Sequence, residues 1–326
     1  MATRLTTYQK GSILPPLPGS TLTHSTELFH IYEQTPGYAP ILIVVSEKEG
    51  PVAKLLAVVR RSARLFPPSI IKRCEVFGDG EYWCEDTRKE ELFGIMLEHL
   101  TKTVLKDCFL IEFRNLSSSL FGYGHFRKNG YFPINWLRVY NSLHSLPPEE
   151  RLDASRKRRI NRAIKNGVTT QIGGTENETN AFLHILKRNY SSKIRKHFPD
   201  LQLFNLLMQK YPEKEVARIF LVKHGQKVIG GAFCIFSGEN VYLCFSAGMN
   251  KIYPHLSPST MAVWAAITYA FQRKYSHFEF VDAGLPFKKM GYRDYILSFG
   301  GKQVSTRRWF RLRWNWLNSL LIRLYR

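Results

Sequence analysis

Residues 217–301 limit most strongly how this chain can fold, because they hold three β-rich runs, an apolar helix, another strand and a glycine-ended loop in unbroken order. The runs ARIFLV, VIGGAFCIF and VYLCFS are separated by KHGQK and SGEN, whose Gly and Asn suit tight hairpins. They read as an antiparallel meander. In HLSPSTMAVWAAITYAFQRK, Ser257 stands at the N-cap place, Pro258 at the first helical position, and Arg273 and Lys274 at the negative end. HFEFVDAG then reads as a strand that empties at Asp282 and Gly284 into PFKKMGYRDYILSFGG. Loops at the carboxyl ends of such strands commonly carry chemistry.

A similar order occurs earlier. ILIVV, the turn SEKEG, VAKLLAVVRR, an amphipathic helix over 90–106 and FLIEFRN repeat strand, turn, strand, helix and strand within residues 41–115. An internal duplication of one α/β unit accounts for this, and 326 residues are enough for two cores. The expected fold class is α/β, of the α+β mixed-sheet kind. The expected divisions are an irregular lead-in (1–25), a first unit (26–145), a second unit (146–305) and a basic aromatic amphipathic helix (306–326).

Charge separates the halves. Residues 1–150 hold 17 Lys+Arg against 16 Asp+Glu, whereas residues 151–326 hold 30 against 10. A polyanionic partner follows: nucleic acid, an anionic membrane face or a phosphate-bearing substrate. The segment from LPPEE to the Gly167 stop reads as a helix on which Arg156, Arg159 and Ala163 share one side. Arg158, Arg159 and Arg162 are candidates for binding phosphate, and a solvated basic helix is the alternative. Helices over 180–190 and 201–211 are joined by SSKIRKHFPD, whose Lys193, Arg195 and Lys196 could line the same groove.

In the C-terminal WFRLRWNWLNSLLIRLYR, helical spacing aligns Phe310, Trp314, Leu317, Leu321 and Leu324. Such a helix over 309–326 suits an anionic lipid surface, the protein's own core, a twin subunit or contact with RNA. The start of the chain has no apolar leader segment, and the longest uncharged stretch, 252–272, carries two prolines. A cytoplasmic place, at the inner face of the membrane, is expected. Cys74, Cys84, Cys108, Cys234 and Cys244 lack metal-ligand spacing, so no metal site is expected.

From Val241 to Gly301, a strand ending FSAG, the helix STMAVWAAITYA, a strand ending VDAG and the closing YILSFGG resemble the C-terminal half of the Fem-type (FemAB-like) aminoacyltransferases of the acetyltransferase (GNAT) superfamily. RKRRINRAIKNGV is similar to the opening of that family's second domain. The resemblance implies two tandem GNAT-like units, the second more complete and the first degenerate. It implies attack of an amine on an activated acyl carbon, an ester of tRNA or a thioester.

For that chemistry Asp282 is a candidate to orient or deprotonate the amine, Arg293 and Lys288 to meet negative charge, and Tyr242 and Ser246 to face the cleft. Two departures from the family pattern stand out. AGMNKIYPHLSPST lacks the glycine cluster that holds a pyrophosphate, and Ile296 stands where a lysine is expected. The implied donor is aminoacyl-tRNA or acyl-CoA, with no tightly bound cofactor, and the implied acceptor bears phosphate and belongs to cell-envelope synthesis. Two other readings stay open. One is a non-catalytic protein that binds nucleic acid or anionic membrane on a degenerate GNAT scaffold; the other is an acyl-CoA N-acyltransferase.

Overall fold

The computed structural model describes residues 3–61, 72–116, 118–189, 201–209 and 215–325. The elements in chain order are β1 (Arg4–Gln9), α1 (Thr26–Gln34), β2 (Tyr38–Glu47), β3 (Gly50–Arg61), β4 (Lys72–Phe77), β5 (Glu81–Tyr82), α2 (Asp86–Val104), β6 (Leu110–Arg114), α3 (Tyr123–Lys128) and β7 (Phe132–Ser142). There follow α4 (Pro148–Arg151), α5 (Ala154–Lys165), β8 (Val168–Ile172), α6 (Glu176–Asn189), α7 (Leu201–Gln209), β9 (Ala217–His224), β10 (Lys227–Ser237) and β11 (Asn240–Gly248). The last are α8 (Pro258–Gln272), β12 (His277–Phe280), α9 (Gly291–Leu297), β13 (Lys302–Leu312) and α10 (Asn315–Leu324).

The chain divides into two compact units of interleaved segments. The first comprises Met1–Trp136, Pro199–Leu207 and Ser305–Arg326, and the second comprises Leu137–Phe198 and Met208–Val304. In the first, β1, β2, β3 and β4 form an antiparallel meander, β6 lies parallel to β4 after the α2 crossover, and β13 closes the run antiparallel to β6. In the second, β8 to β11 form the meander, β12 lies parallel to β11 after α8, and β7 closes antiparallel to β12. Both units therefore repeat one mixed α/β plan; the first takes its closing strand β13 from the far end of the chain, and the second takes β7 from just before its own meander.

The expected order of strand, turn, strand, helix and strand is present in both halves, with β4 as a further strand in the first. Two expectations change. The segment 306–326 is not one helix: β13 runs to Leu312, and Trp309 is fully buried beside Phe113, Phe126 and Tyr131. A strand wins there because it completes an edge of the first unit that would otherwise leave backbone groups unpaired. The helix from LPPEE to Gly167 is broken after Arg151, and Asp153 caps α5 by accepting from the Ser155 amide at 3.2 Å.

Packing in the second unit explains the local choices. One sheet face carries Val241, Leu243, Phe278, Phe280, Leu137 and Val139 against the α8 residues Val263, Ala266, Ile267 and Ala270. The hydrophobic drive holds α8 there, since its small alanines allow close approach to the strands. On α5 the buried residues are Arg156, Ile160 and Ala163, so Arg159 faces outward instead of sharing the inner side.

Candidate active site

The second unit opens where its two parallel strands part. The ladder between β11 and β12 ends at Leu243 opposite Phe280, yet β11 continues to Gly248. Beyond β12 the chain follows β7, for Ala283 N–H donates to the Leu137 carbonyl at 2.9 Å and Leu137 N–H to the Gly284 carbonyl at 2.9 Å. The far end of β11 is tied elsewhere: Asn189 donates to the Gly248 carbonyl at 2.9 Å, and Gly248 and Gly230 lie on β11 and β10 against the start of α8. In the first unit the matching pair stays joined to its end, with Phe77 opposite Arg114 and Gly78 N–H on the Arg114 carbonyl at 2.9 Å. That ladder is closed.

The start of α8 borders this opening. Ser257 takes the N-cap place at φ +46 without a side-chain cap. Asn250 does the capping instead, accepting from the Ser259 amide at 3.2 Å and donating to Ser259 Oγ at 2.7 Å. The Ser257 carbonyl accepts from the Thr260 and Met261 amides. The first-turn donors that could hold a pyrophosphate are thus engaged within the protein.

Arg156, 6% exposed, joins three elements at this border. Its Nε donates to Ser298 Oγ at 2.8 Å, one terminal nitrogen to Thr260 Oγ1 at 2.7 Å and the other to the Tyr295 carbonyl at 3.4 Å. Its guanidinium also lies over the Tyr295 and Phe299 rings at 4.6 and 4.9 Å. Burial lowers its affinity for the proton, and burial raises the Tyr295 hydroxyl to about 12. The sequence placed Arg156 correctly on α5 but gave no sign that it alone turns inward. Ile296, in the place expected for a lysine, is fully buried in the apolar core.

The candidate residues take separate places around this frame. Asp282 is exposed in the loop after β12. Arg293 is folded onto that loop, donating to the carbonyls of Ala283 at 2.9 Å, Pro286 at 3.4 Å and Leu285. It therefore shapes the loop. Lys288 and Lys289 are exposed beside Phe287, which is 82% exposed. Arg158, Arg159 and Arg162 are exposed on α5, while Lys193, Arg195 and Lys196 lie outside the described residues.

Tyr242 and Ser246 do not share a sheet face. A register shift at Phe233/Cys234 pairs Cys234 with Leu243 but Ala232 with Ser246, and Cys234, Leu243 and Ala232 all belong to the core under α8. The bulge thus turns Ser246 toward α8 and leaves Tyr242 on the opposite face. There Tyr242 stands in register with Glu279, which in turn stands opposite Tyr140.

Glu279 is a carboxylate without a place among the residues expected from sequence. It alternates with the core residues Phe278 and Phe280, accepts from Arg138 at 3.0 Å, and is pushed above the ordinary carboxylate range by burial, against the pull of Arg138. A raised carboxylate at a strand end beside an opening has the properties of a general base. The polar residue at the centre of HFEF was its only sequence signal.

Comparison with known proteins agrees with this geometry. Residues 151–289 match the family described as acetyltransferase (GNAT) domain. No curated protein matches the chain by sequence. Among solved structures it is similar to FemX, with a TM-score of 0.64 and 12% identity over 93% of this chain and 94% of that one. A tandem GNAT protein from the clavulanic acid biosynthesis pathway gives 0.56 and 11% identity, over 86% of this chain and 85% of that one. L-PGS from Bacillus licheniformis gives 0.55 and 11%, over 86% of this chain and 88% of that one. Residues 151–289 thus match a GNAT-type acetyltransferase domain, and the chain as a whole shares the tandem GNAT fold of these solved structures.

Proposed function

We propose that the protein transfers an activated acyl group to an amine of a phosphate-bearing cell-envelope precursor, at the cytoplasmic face of the membrane. The parting of β11 and β12 within a matched acetyltransferase domain carries this reading. The amine lone pair attacks the acyl carbon, the carbonyl oxygen takes negative charge, and the bond to the tRNA ribose oxygen, or to sulfur in a thioester, breaks. Glu279 takes the amine proton. The acceptor's phosphates meet Arg158, Arg159, Arg162 and Lys288, in a unit that holds 25 Lys+Arg against 11 Asp+Glu. Aminoacyl-tRNA is the favoured donor, because the α8 amides suited to a CoA pyrophosphate are already engaged. FemX and L-PGS from Bacillus licheniformis lend support by fold alone.

The test is transfer of a radiolabelled acyl group from charged tRNA, or from acyl-CoA, to nucleotide-linked and lipid-linked diphosphate acceptors. Transfer from charged tRNA is expected, with a fall of about 100-fold in Glu279→Gln, the smaller end of general-base effects. Ile296, apolar and buried where a cation is expected, favours a second reading of a binding protein without catalysis. Steeply salt-dependent RNA binding with no donor consumed would decide for it.

A further inference from the structure

We infer that α10 is a docking surface for an anionic lipid bilayer, a property independent of the proposed transfer chemistry. Three exposed side chains, Trp316 at 70%, Leu320 at 49% and Leu324 at 68%, follow at four-residue intervals and so form one stripe along the helix. Arg323, seven residues after Trp316, stands at nearly the same angle on the helix and flanks that stripe. Trp314, half exposed, stacks on Trp316 at 6.5 Å and meets the Phe109 ring edge-on at 5.0 Å.

The opposite side of the helix fixes this orientation. Asn318 is buried, accepts from the Leu312 amide at 2.9 Å and donates to the Gly130 carbonyl at 2.9 Å. Tyr325 stacks on Phe132 at 5.7 Å. The helix therefore has both a satisfied inner face and an apolar outer one. This differs from the face expected from sequence, since Leu317 and Leu321 are half-buried and Phe310 belongs to β13.

Charge selects the occupant. Arg313 and Arg323 are exposed beside and on the helix, and residues 313–326 contain no Asp or Glu, so the rim of the stripe matches an anionic surface. Tryptophan beside leucine, with arginine at the edge, is the composition that settles at the headgroup boundary, where the indole ring is half wet and the aliphatic chains are buried. A twin copy of this basic patch would bring like charges together. No helix among the described residues is long and apolar enough to cross a membrane. The contact is one of lying on the bilayer.

Flotation of the full-length protein with vesicles tests this, using phosphatidylcholine alone and phosphatidylcholine mixed with phosphatidylglycerol. Binding is expected only to the mixed vesicles, weakening as salt rises. The exposed triple variant Trp316→Ala/Leu320→Ser/Leu324→Ser should fold as the parent does, by circular dichroism, and bind at least about tenfold more weakly. Arg313→Glu/Arg323→Glu should lose binding while keeping the stripe, since each arginine near an anionic surface is worth about fivefold in partition.

Unchanged binding in the triple variant, or none by the parent, overturns the inference. So does a concentration-dependent dimer that the triple variant abolishes, which would assign the stripe to self-association. A loss of RNA affinity without loss of vesicle binding would assign it to RNA. None of these readouts uses acyl transfer, so failure here removes the membrane location and leaves the proposed transfer chemistry intact.

Discussion

Arg156 shows how one buried cation can order a site. Its three donor contacts join α5 to the start of α8 and to the end of α9, and no carboxylate is among those partners. Truncation would leave Ser298, Thr260 and the Tyr295 carbonyl to find other partners in a dry place, so Arg156→Ala should cost about 3 kcal/mol in denaturant unfolding. Arg156→Lys should recover little of it, because an ammonium cannot reproduce the planar fork.

His24 makes a separate prediction for pH. It is fully buried in the first unit, with its ring nitrogens 3.1 Å from the Leu56 amide and 3.0 Å from the Gly80 amide. Burial, aided by Lys54, lowers its pKa to about 3. Because the folded value is depressed, the unfolded chain takes up the proton first as pH falls below 6.5. Stability contributed by the neutral ring is therefore present above that value and is lost down to about pH 3. Between about pH 7 and about pH 5 the parent should lose about 2 kcal/mol more than His24→Gln, read from paired denaturant titrations.

Among the elements, β11 and α8 meet most closely at Gly248, where an added Cβ would come within 2.5 Å of the Ser259 amide nitrogen. Backbone cannot yield cheaply. Gly248→Ala should cost about 2 kcal/mol and also displace the start of α8, so acyl transfer should fall further than melting temperature predicts. Gly300 meets a different constraint, because its φ is +88 and a Cβ added there would stand 2.3 Å from the Arg151 carbonyl oxygen, so that both exclude a side chain. Gly300→Ala should lower the melting temperature by several degrees, about 2–4 °C for each kcal/mol lost. The meander strands and helices were legible because their periodicity is local. The bulge that separates Tyr242 from Ser246 was not, since a shift between paired strands leaves no mark on either alone.

For the molecule as a whole, the closing of the first unit by β13 redistributes charge. By sequence halves the surplus is +1 and +20, whereas the first unit holds 22 Lys+Arg against 15 Asp+Glu and the second holds 25 against 11. The C-terminal arginines thus belong to the first unit, where Arg308 joins Arg73 and Arg114 around buried Glu112. Removing residues 302–326 should therefore damage the first unit, although it lies mostly in the other half of the sequence. Loss of Trp309 from the core alone costs about 3–5 kcal/mol. Hydrogen exchange should show β6 and β4 unprotected in the shortened chain while β9 to β11 keep their protection; unchanged protection in β6 would refute the strand's role.

By itself the sequence determined the two repeated α/β plans, the apolar α8, the basic α5 and the family resemblance, because these rest on spacing within single segments. Only the tertiary structure decided that β13 closes a unit begun at the other end of the chain and that β7 closes the second unit, that one arginine of the basic helix turns inward, and that Glu279 lies beside Tyr242 where the sheet opens. Pairing between distant strands and burial of a charge both depend on what the rest of the chain leaves unsatisfied. That information is held in the packed whole, and local pattern does not carry it.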